Sequence, residues 1–123
     1  MNNYDYRVNL VDDYLKKLNL SNEIKKYYSG RNILVTGGAG AIGSNLVTTL
    51  SKLVGNDGMI IVLDNLSAIK GDEPIDLPPL SNMMFVNGDI RNDIDLKRVF
   101  REKPTIVYHL AAFFANQNSV DYP

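Results

Sequence analysis

The stretch RNILVTGGAGAIGS, residues 31–44, passes from a short apolar segment through a glycine-rich turn into the start of a helical pattern. Ile33-Leu34-Val35 is apolar at consecutive positions and rich in β-branched residues, the pattern of a strand buried on both faces in a parallel sheet. From Thr36 to Gly43 there are four glycines in eight residues. Backbone without Cβ can adopt left-handed dihedrals and lie close to a ligand. Beyond Gly43, Leu46, Val47, Leu50 and Leu53 recur at helical spacing, which predicts a helix over about residues 44–53. The glycines therefore fall between a strand and a helix N-terminus, where unpaired N–H groups and the helix dipole favour an anion.

The glycines can be read in two registers. Gly38, Gly40 and Gly43 give G-x-G-x-x-G, whereas Gly37, Gly40 and Gly43 give G-x-x-G-x-x-G. The context makes this more than a tight βα turn. A second apolar run, Met59 to Leu63, ends in Asp64, which lies 21 positions past Gly43 (64 − 43). Strand, glycine turn, helix, strand and a terminal carboxylate together form the fingerprint of a dinucleotide site. No Lys-Ser or Lys-Thr pair follows the glycines, which excludes a phosphate-loop NTPase.

Whole-chain properties fit that class. The chain has 123 residues, 45% hydrophobic and 22% charged, with a net charge of -1 and no cysteine. The balance is that of a globular domain. The charge gives no electrostatic basis for binding nucleic acid or an anionic membrane. Disulfides and thiolate metal sites are excluded, and no metal site is expected. Neither a signal-peptide core nor a membrane-length apolar run is present, so a soluble, cytoplasmic protein is the expectation.

Residues 1–30 differ in character from the rest. Val8, Val11, Leu15 and Leu18 recur at helical spacing, with Asp12, Asp13, Lys16 and Lys17 opposite, predicting a helix over about residues 8–20. Ser21 is placed to cap a second short helix through Tyr28, and Gly30 to end it. These helices are expected to pack on the sheet or on the rest of a larger enzyme rather than serve as a separate partner-binding arm. Past Asp64, residues 65–82 read as loop, with Pro74, Pro78 and Pro79 opposing regular structure. Met84-Phe85-Val86 is a third strand, residues 92–102 a helix, and residues 105–112 a fourth strand. The helix carries Asp93 and Asp95 in its first turn and basic residues towards its end, as the dipole favours. This order predicts an α/β fold, a Rossmann-type doubly wound parallel sheet of about four strands in the order 3-2-1-4, with an N-terminal helical extension. The crevice would open where strands one and four diverge.

Four stretches, VTGGAGAIGSNL at residues 35–46, LDNLS at 63–67, NGDIRN at 87–92 and YHLAAFFANQNSVDYP at 108–123, resemble the extended short-chain dehydrogenase/reductase family. The resemblance is closest to its NAD-dependent nucleotide-sugar epimerases and dehydratases, of the UDP-glucose 4-epimerase type. It implies that Gly37, Gly40 and Gly43 hold a pyrophosphate, with Ala41 and Ile42 giving N–H groups beside it. Asp64 would bind the adenosine ribose diol, with Asn65 and Ser67 as its neighbours. Asp89 and Ile90 would border adenine, the carboxylate accepting from the exocyclic amine. Leu110, Ala111 and Ala112 would lie against the nicotinamide half, and Ser119 matches the family's S-V-x-x-P ending. A carboxylate at position 64 favours NAD over NADP, since it repels a 2′-phosphate. Ala41 departs from the family, where a bulky aromatic is usual. His109, the sole histidine, matches a structural position, and Phe113 and Phe114 either line the sugar side or pack.

Family members use a Tyr-x-x-x-Lys pair, the tyrosine as general base and the lysine lowering its pKa. At that spacing Tyr14 precedes Leu18, Tyr27 precedes Arg31 and Tyr108 precedes Ala112. No catalytic residue is therefore assigned. Residues 31–123 are expected to be the NAD-binding portion of a longer enzyme, truncated before its catalytic and substrate-binding half and inactive alone. Two alternatives remain: a stand-alone dinucleotide-binding or interaction module, and the corresponding part of a related reductase or decarboxylase. The fourth strand is expected to be an apolar edge masked by a second copy, making a homo-oligomer, or by the N-terminal helices.

Overall fold

The computed structural model describes residues 3–67 and 77–111. Four strands, β1 (Asn32–Thr36), β2 (Met59–Asp64), β3 (Met83–Asn87) and β4 (Ile106–His109), form one parallel sheet in the order β3-β2-β1-β4. This is the strand order expected from the sequence. Strand β1 pairs Thr36 with Leu63 on one side and with His109 on the other, while Asp64 pairs with Asn87. The carboxyl ends of all four strands thus meet along one rim.

Side-chain alternation divides the core in two. Ile33, Val35, Ile60 and Val62 face a layer made by α3 (Ala41–Val54), whose Val47, Leu50 and Val54 are buried against them together with Leu77. Leu34, Ile61, Leu63 and Val86 face α4 (Asp93–Phe100) through Val99. Burial on both faces is why β1 and β2 read as unbroken apolar runs. Each fully buried Ile or Val on them contributes about 1.5–3 kcal/mol relative to exposure.

The N-terminal helices are α1 (Asn3–Leu18) and α2 (Asn22–Tyr28). Helix α1 starts several residues before the apolar stripe at Val8 and ends at Leu18, where Asn19 turns into positive φ. Ser21 caps α2, its Oγ accepting from the Ile24 N–H at 3.3 Å. Both helices pack on the α3 side of the sheet. Asp12 of α1 pairs with Lys52 of α3 at 3.3 Å. The Tyr28 hydroxyl lies 2.6 Å from that of Tyr108 on β4, and burial, followed by this bond, pushes the Tyr108 phenol up to about 12.

Strand β4 is shorter than the 105–112 expected, ending at His109. Among the described residues its strand neighbour is β1 alone. Tyr28 covers one face, and the other leaves Val107 48% exposed. The N-terminal helices therefore cover one face of β4, while its free main-chain edge has no strand partner among the described residues. Helix α3 begins at Ala41, three residues earlier than the apolar spacing suggests, so Gly43 lies inside its first turn. Among the described residues no helix is long and apolar enough to cross a membrane.

Candidate functional site

The turn between β1 and α3 is built from glycines with different tasks. Gly37 has φ of +74°, a conformation that L side chains rarely adopt, and its N–H donates to the Leu63 carbonyl at 2.9 Å. A Cβ there would stand 2.8 Å from the Ala111 nitrogen and the Leu110 carbonyl carbon, so β4's continuation crosses directly over it. At Gly43 a Cβ would collide with the Gly37 carbonyl oxygen, and at Gly38 with Val62. These three are required by the protein's own packing.

Gly40 is different. Its φ is −76°, open to any residue, and the nearest protein atom to a Cβ there would be the Gly37 oxygen at 3.7 Å. Nothing in the fold demands glycine at this position. What its missing Cβ leaves is space at the N-terminus of α3. The first helical bond is Ser44 N–H to Gly40 carbonyl at 2.8 Å, which places the N–H groups of Ala41, Ile42 and Gly43 ahead of the helical ladder. Ala41 is exposed and Ile42 is 80% exposed. Packing beneath the turn comes from buried Ala39 and from Gly38, whereas the side chain at position 41 faces outward. An oxyanion fits this cradle.

Asp64 closes the next side. Its Oδ2 accepts from the Ala39 N–H at 3.0 Å and its Oδ1 from the Leu66 N–H at 2.7 Å, with Leu66 at φ of +61°. Two main-chain donors therefore fix the carboxylate between the glycine turn and the strand end. A carboxylate has about four acceptor positions. Those left can receive a vicinal diol, so the residue suits a ribose. Asn65 Oδ1 accepts from the Ser67 N–H at 3.0 Å, which shapes the loop, and Ser67 itself is exposed.

At the end of β3, Gly88 N–H donates to the Asp64 carbonyl at 3.1 Å. Asp89 follows, its N–H held by Asp95 Oδ2 at 2.9 Å. Its carboxylate is gripped by Arg91: Oδ1 accepts from the backbone N–H at 2.8 Å and from Nε at 3.0 Å, and Oδ2 from Nη2 at 2.7 Å. The Arg91 side chain, its backbone N–H and the Asn65 side chain hold the Asp89 carboxyl well below the usual carboxylate range. An adenine amine would have to share this carboxylate with Arg91. Ile90 packs partly buried against the α4 core.

On the far side of the turn, Thr36 acts as a hub that sequence reading missed. Its Oγ1 accepts from the N–H of Leu110 at 3.1 Å and of Ala111 at 3.3 Å, and lies 2.6 Å from His109 Nδ1. With two donors on its lone pairs, the hydroxyl proton is directed to Nδ1. That fits a structural role for His109. Of the residues expected at the site, the glycine turn, Ala41, Ile42, Asp64, Asn65, Ser67, Asp89, Ile90, Leu110 and Ala111 all lie along this rim. Ala112, Phe113, Phe114 and Ser119 lie outside the described residues. The signal for Thr36 was a hydroxyl at the last position of an otherwise apolar strand, next to the first glycine.

The model of the NAD dependent epimerase/dehydratase family matches residues 33–123. The chain belongs to that family. The sugar-nucleotide epimerase and dehydratase likeness expected from the sequence is borne out, and NAD is the family's dinucleotide. CDP-paratose 2-epimerase of Salmonella typhi is 42% identical over 94 residues, covering 74% of this chain and 27% of its own length. Among solved structures, an epimerase of Methanothermobacter thermautotrophicus superposes with a TM-score of 0.71 at 50% identity, over 82% of this chain and 28% of that one. The Bordetella bronchiseptica enzyme WbmF, in complex with NAD+, gives 0.66 at 34% identity over 79% of this chain and 28% of its own. The chain thus spans little more than a quarter of the length of these family members.

Proposed function

We propose that this chain holds NAD along the carboxyl rim of its sheet, as the cofactor-binding part of a nucleotide-sugar epimerase or dehydratase. The observation that carries the reading is Gly40, whose missing Cβ answers no need of the fold and opens the helix N-terminus to a pyrophosphate. In this arrangement the N–H groups of Ala41, Ile42 and Gly43 receive the pyrophosphate and Asp64 the adenosine ribose. Asp89 and Ile90 border the adenine, while Leu110 and Ala111, held by Thr36, form the floor of the nicotinamide side. Ala112 continues that run in sequence.

NAD bound in this way would supply a hydride acceptor and donor for a sugar carbon. This chain's own contribution is to bind and orient. No Tyr-x-x-x-Lys pair is present in it, so residues 1–123 alone are expected to give no turnover. The related WbmF has been solved with both NAD+ and UDP, which supports a nucleotide-linked substrate for the whole enzyme. A cytoplasmic location and self-association through the exposed side of β4 go with this reading.

Calorimetric titration of NAD and NADP into the purified chain tests it. NAD is expected to bind, and NADP to bind more weakly because Asp64 repels a 2′-phosphate. Asp64→Ala should weaken NAD by about 10- to 100-fold, the range for losing a charge-assisted pair of bonds. Circular dichroism on the variant checks that the turn survives loss of the Ala39 and Leu66 contacts. Equal affinity for NAD and NADP, or an unaffected Asp64→Ala, would sink the proposal.

A further inference from the structure

Gly88, which follows the last residue of β3, does not adopt positive φ, so its own backbone does not call for glycine. What calls for it is a side chain from α4. A Cβ at Gly88 would stand 2.7 Å from both Cγ and Oδ2 of Asp95, so this carboxylate lies directly over the bare Cα. From there Oδ2 accepts from the Asp89 N–H at 2.9 Å. The Gly88 N–H donates to the Asp64 carbonyl at 3.1 Å. Both peptides flanking Gly88 are thus pinned, one to Asp64 and the other to α4.

Helix α4 has no separate need of this carboxylate. Asn92 already caps it, its Oδ1 accepting from the Asp95 N–H at 3.1 Å, and Asp93 supplies an acid in the first turn. An acid at the position of Asp95 would ordinarily reach back to the N–H of the capping residue. That N–H, of Asn92, donates instead to the Asp89 carbonyl at 3.0 Å, and the Asp95 side chain bonds the Asp89 main chain. Asp89 is therefore held at its N–H and at its carbonyl by the start of α4. Arg91 already bonds both of its carboxylate oxygens, which leaves few directions open to an amine. How the side chain is aimed decides whether an amine is met.

We propose that Asp95 is a positioning residue for base recognition: it aims the Asp89 carboxylate so that the site selects a purine nucleotide bearing an exocyclic amine over one bearing a carbonyl there. Carboxylate oxygens only accept, so an amine is drawn to them and a carbonyl oxygen in its place is repelled. This deepens the dinucleotide reading and rests on it.

The test is calorimetric titration of ADP and inosine 5′-diphosphate, which carries a carbonyl in place of adenine's amine, into wild type, Asp95→Ala, Asp95→Asn, Gly88→Ala and Asp93→Asn. Wild type is expected to prefer ADP by at least about tenfold, the scale of one charge-assisted hydrogen bond. Asp95→Ala should cut that preference by roughly three- to tenfold through loss of ADP affinity alone. Asp95→Asn keeps an acceptor for the Asp89 N–H and should keep the preference. Gly88→Ala retains Asp95 but displaces its carboxylate, so it should reproduce the Asp95→Ala result even where that variant folds poorly. Asp93→Asn changes an acid of the same helical turn and should match wild type. The ratio of the two affinities within one variant does not depend on the fraction of chain folded. Parallel losses for both nucleotides, or an unchanged preference in Asp95→Ala and Gly88→Ala, would overturn the role of Asp95. Equal binding of both nucleotides by wild type would overturn it too, while leaving the pyrophosphate and ribose contacts standing. A wild-type chain that binds neither ADP nor NAD would remove the dinucleotide reading itself, and this role with it.

Discussion

Alanine at two glycines of the same turn should have opposite consequences. At Gly37 the substitution imposes φ of +74° on a residue with a Cβ, which costs about 1–2 kcal/mol. That Cβ would also lie 2.8 Å from the backbone of Leu110 and Ala111, and overpacking against fixed main chain adds about 1–3 kcal/mol. Gly37→Ala should thus lose about 2–5 kcal/mol, a large part of a typical domain's stability. At Gly40, φ is −76° and a Cβ finds 3.7 Å of clearance, so neither cost arises. Reduced unfolded-state entropy adds about 0.4–1 kcal/mol. The poorer capping of alanine removes a similar amount, about 0.5–1 kcal/mol, leaving stability near that of wild type. The new methyl would occupy the approach of the pyrophosphate, and NAD affinity should fall by at least about tenfold, or 1.4 kcal/mol. Urea denaturation reads the first effect and calorimetric titration with NAD the second. If Gly40→Ala unfolds as readily as Gly37→Ala, the glycines are all structural. If it binds NAD like wild type, the pyrophosphate does not lie there.

Two further outcomes follow from the rim. Thr36→Val keeps the side chain's shape but leaves the Ala111 N–H without its acceptor and removes the His109 contact, so the chain should lose about 1–3 kcal/mol in urea denaturation. Amide exchange at Leu110 and Ala111 should quicken as well. The Asp89 carboxyl is held below its ordinary value chiefly by Arg91, so its contribution to stability is complete above the unfolded-state value near 4 and is lost as pH falls below it. Arg91→Gln should accordingly flatten the decline in stability below about pH 4, measured as the difference from wild type, with little change in its shape near neutrality.

Local pattern made the sheet legible. Unbroken apolar runs at Ile33–Val35 and Met59–Leu63 marked strands buried on both faces, and Asp64 marked the end of the second, because burial and strand termination act within a few residues. Helix α3 starts three residues before its apolar spacing indicates, and Gly43, a poor helix former, conceals that start in the sequence. It sits in the first turn because any Cβ would strike the Gly37 carbonyl, a contact that apolar spacing does not encode. The fourth strand came out short because its end is turned by the Thr36 hydroxyl, whose bond to His109 joins residues 73 positions apart. Distance along the chain likewise hid the Ala39 N–H on Asp64, 25 positions away, and Arg7 on Ser44, 37 away. The motif marked the rim proposed for the cofactor, and tertiary contacts decided what holds the motif in shape.

Crystals of residues 1–123 grown with NAD test the central claim most directly. The pyrophosphate should lie within about 3 Å of the N–H groups of Ala41 and Ile42, over the bare Cα of Gly40, with the adenosine ribose hydroxyls on Asp64. NAD found elsewhere, such as the groove between α1 and Pro79–Asn82, or a glycine turn that stays empty at saturating NAD, would contradict it.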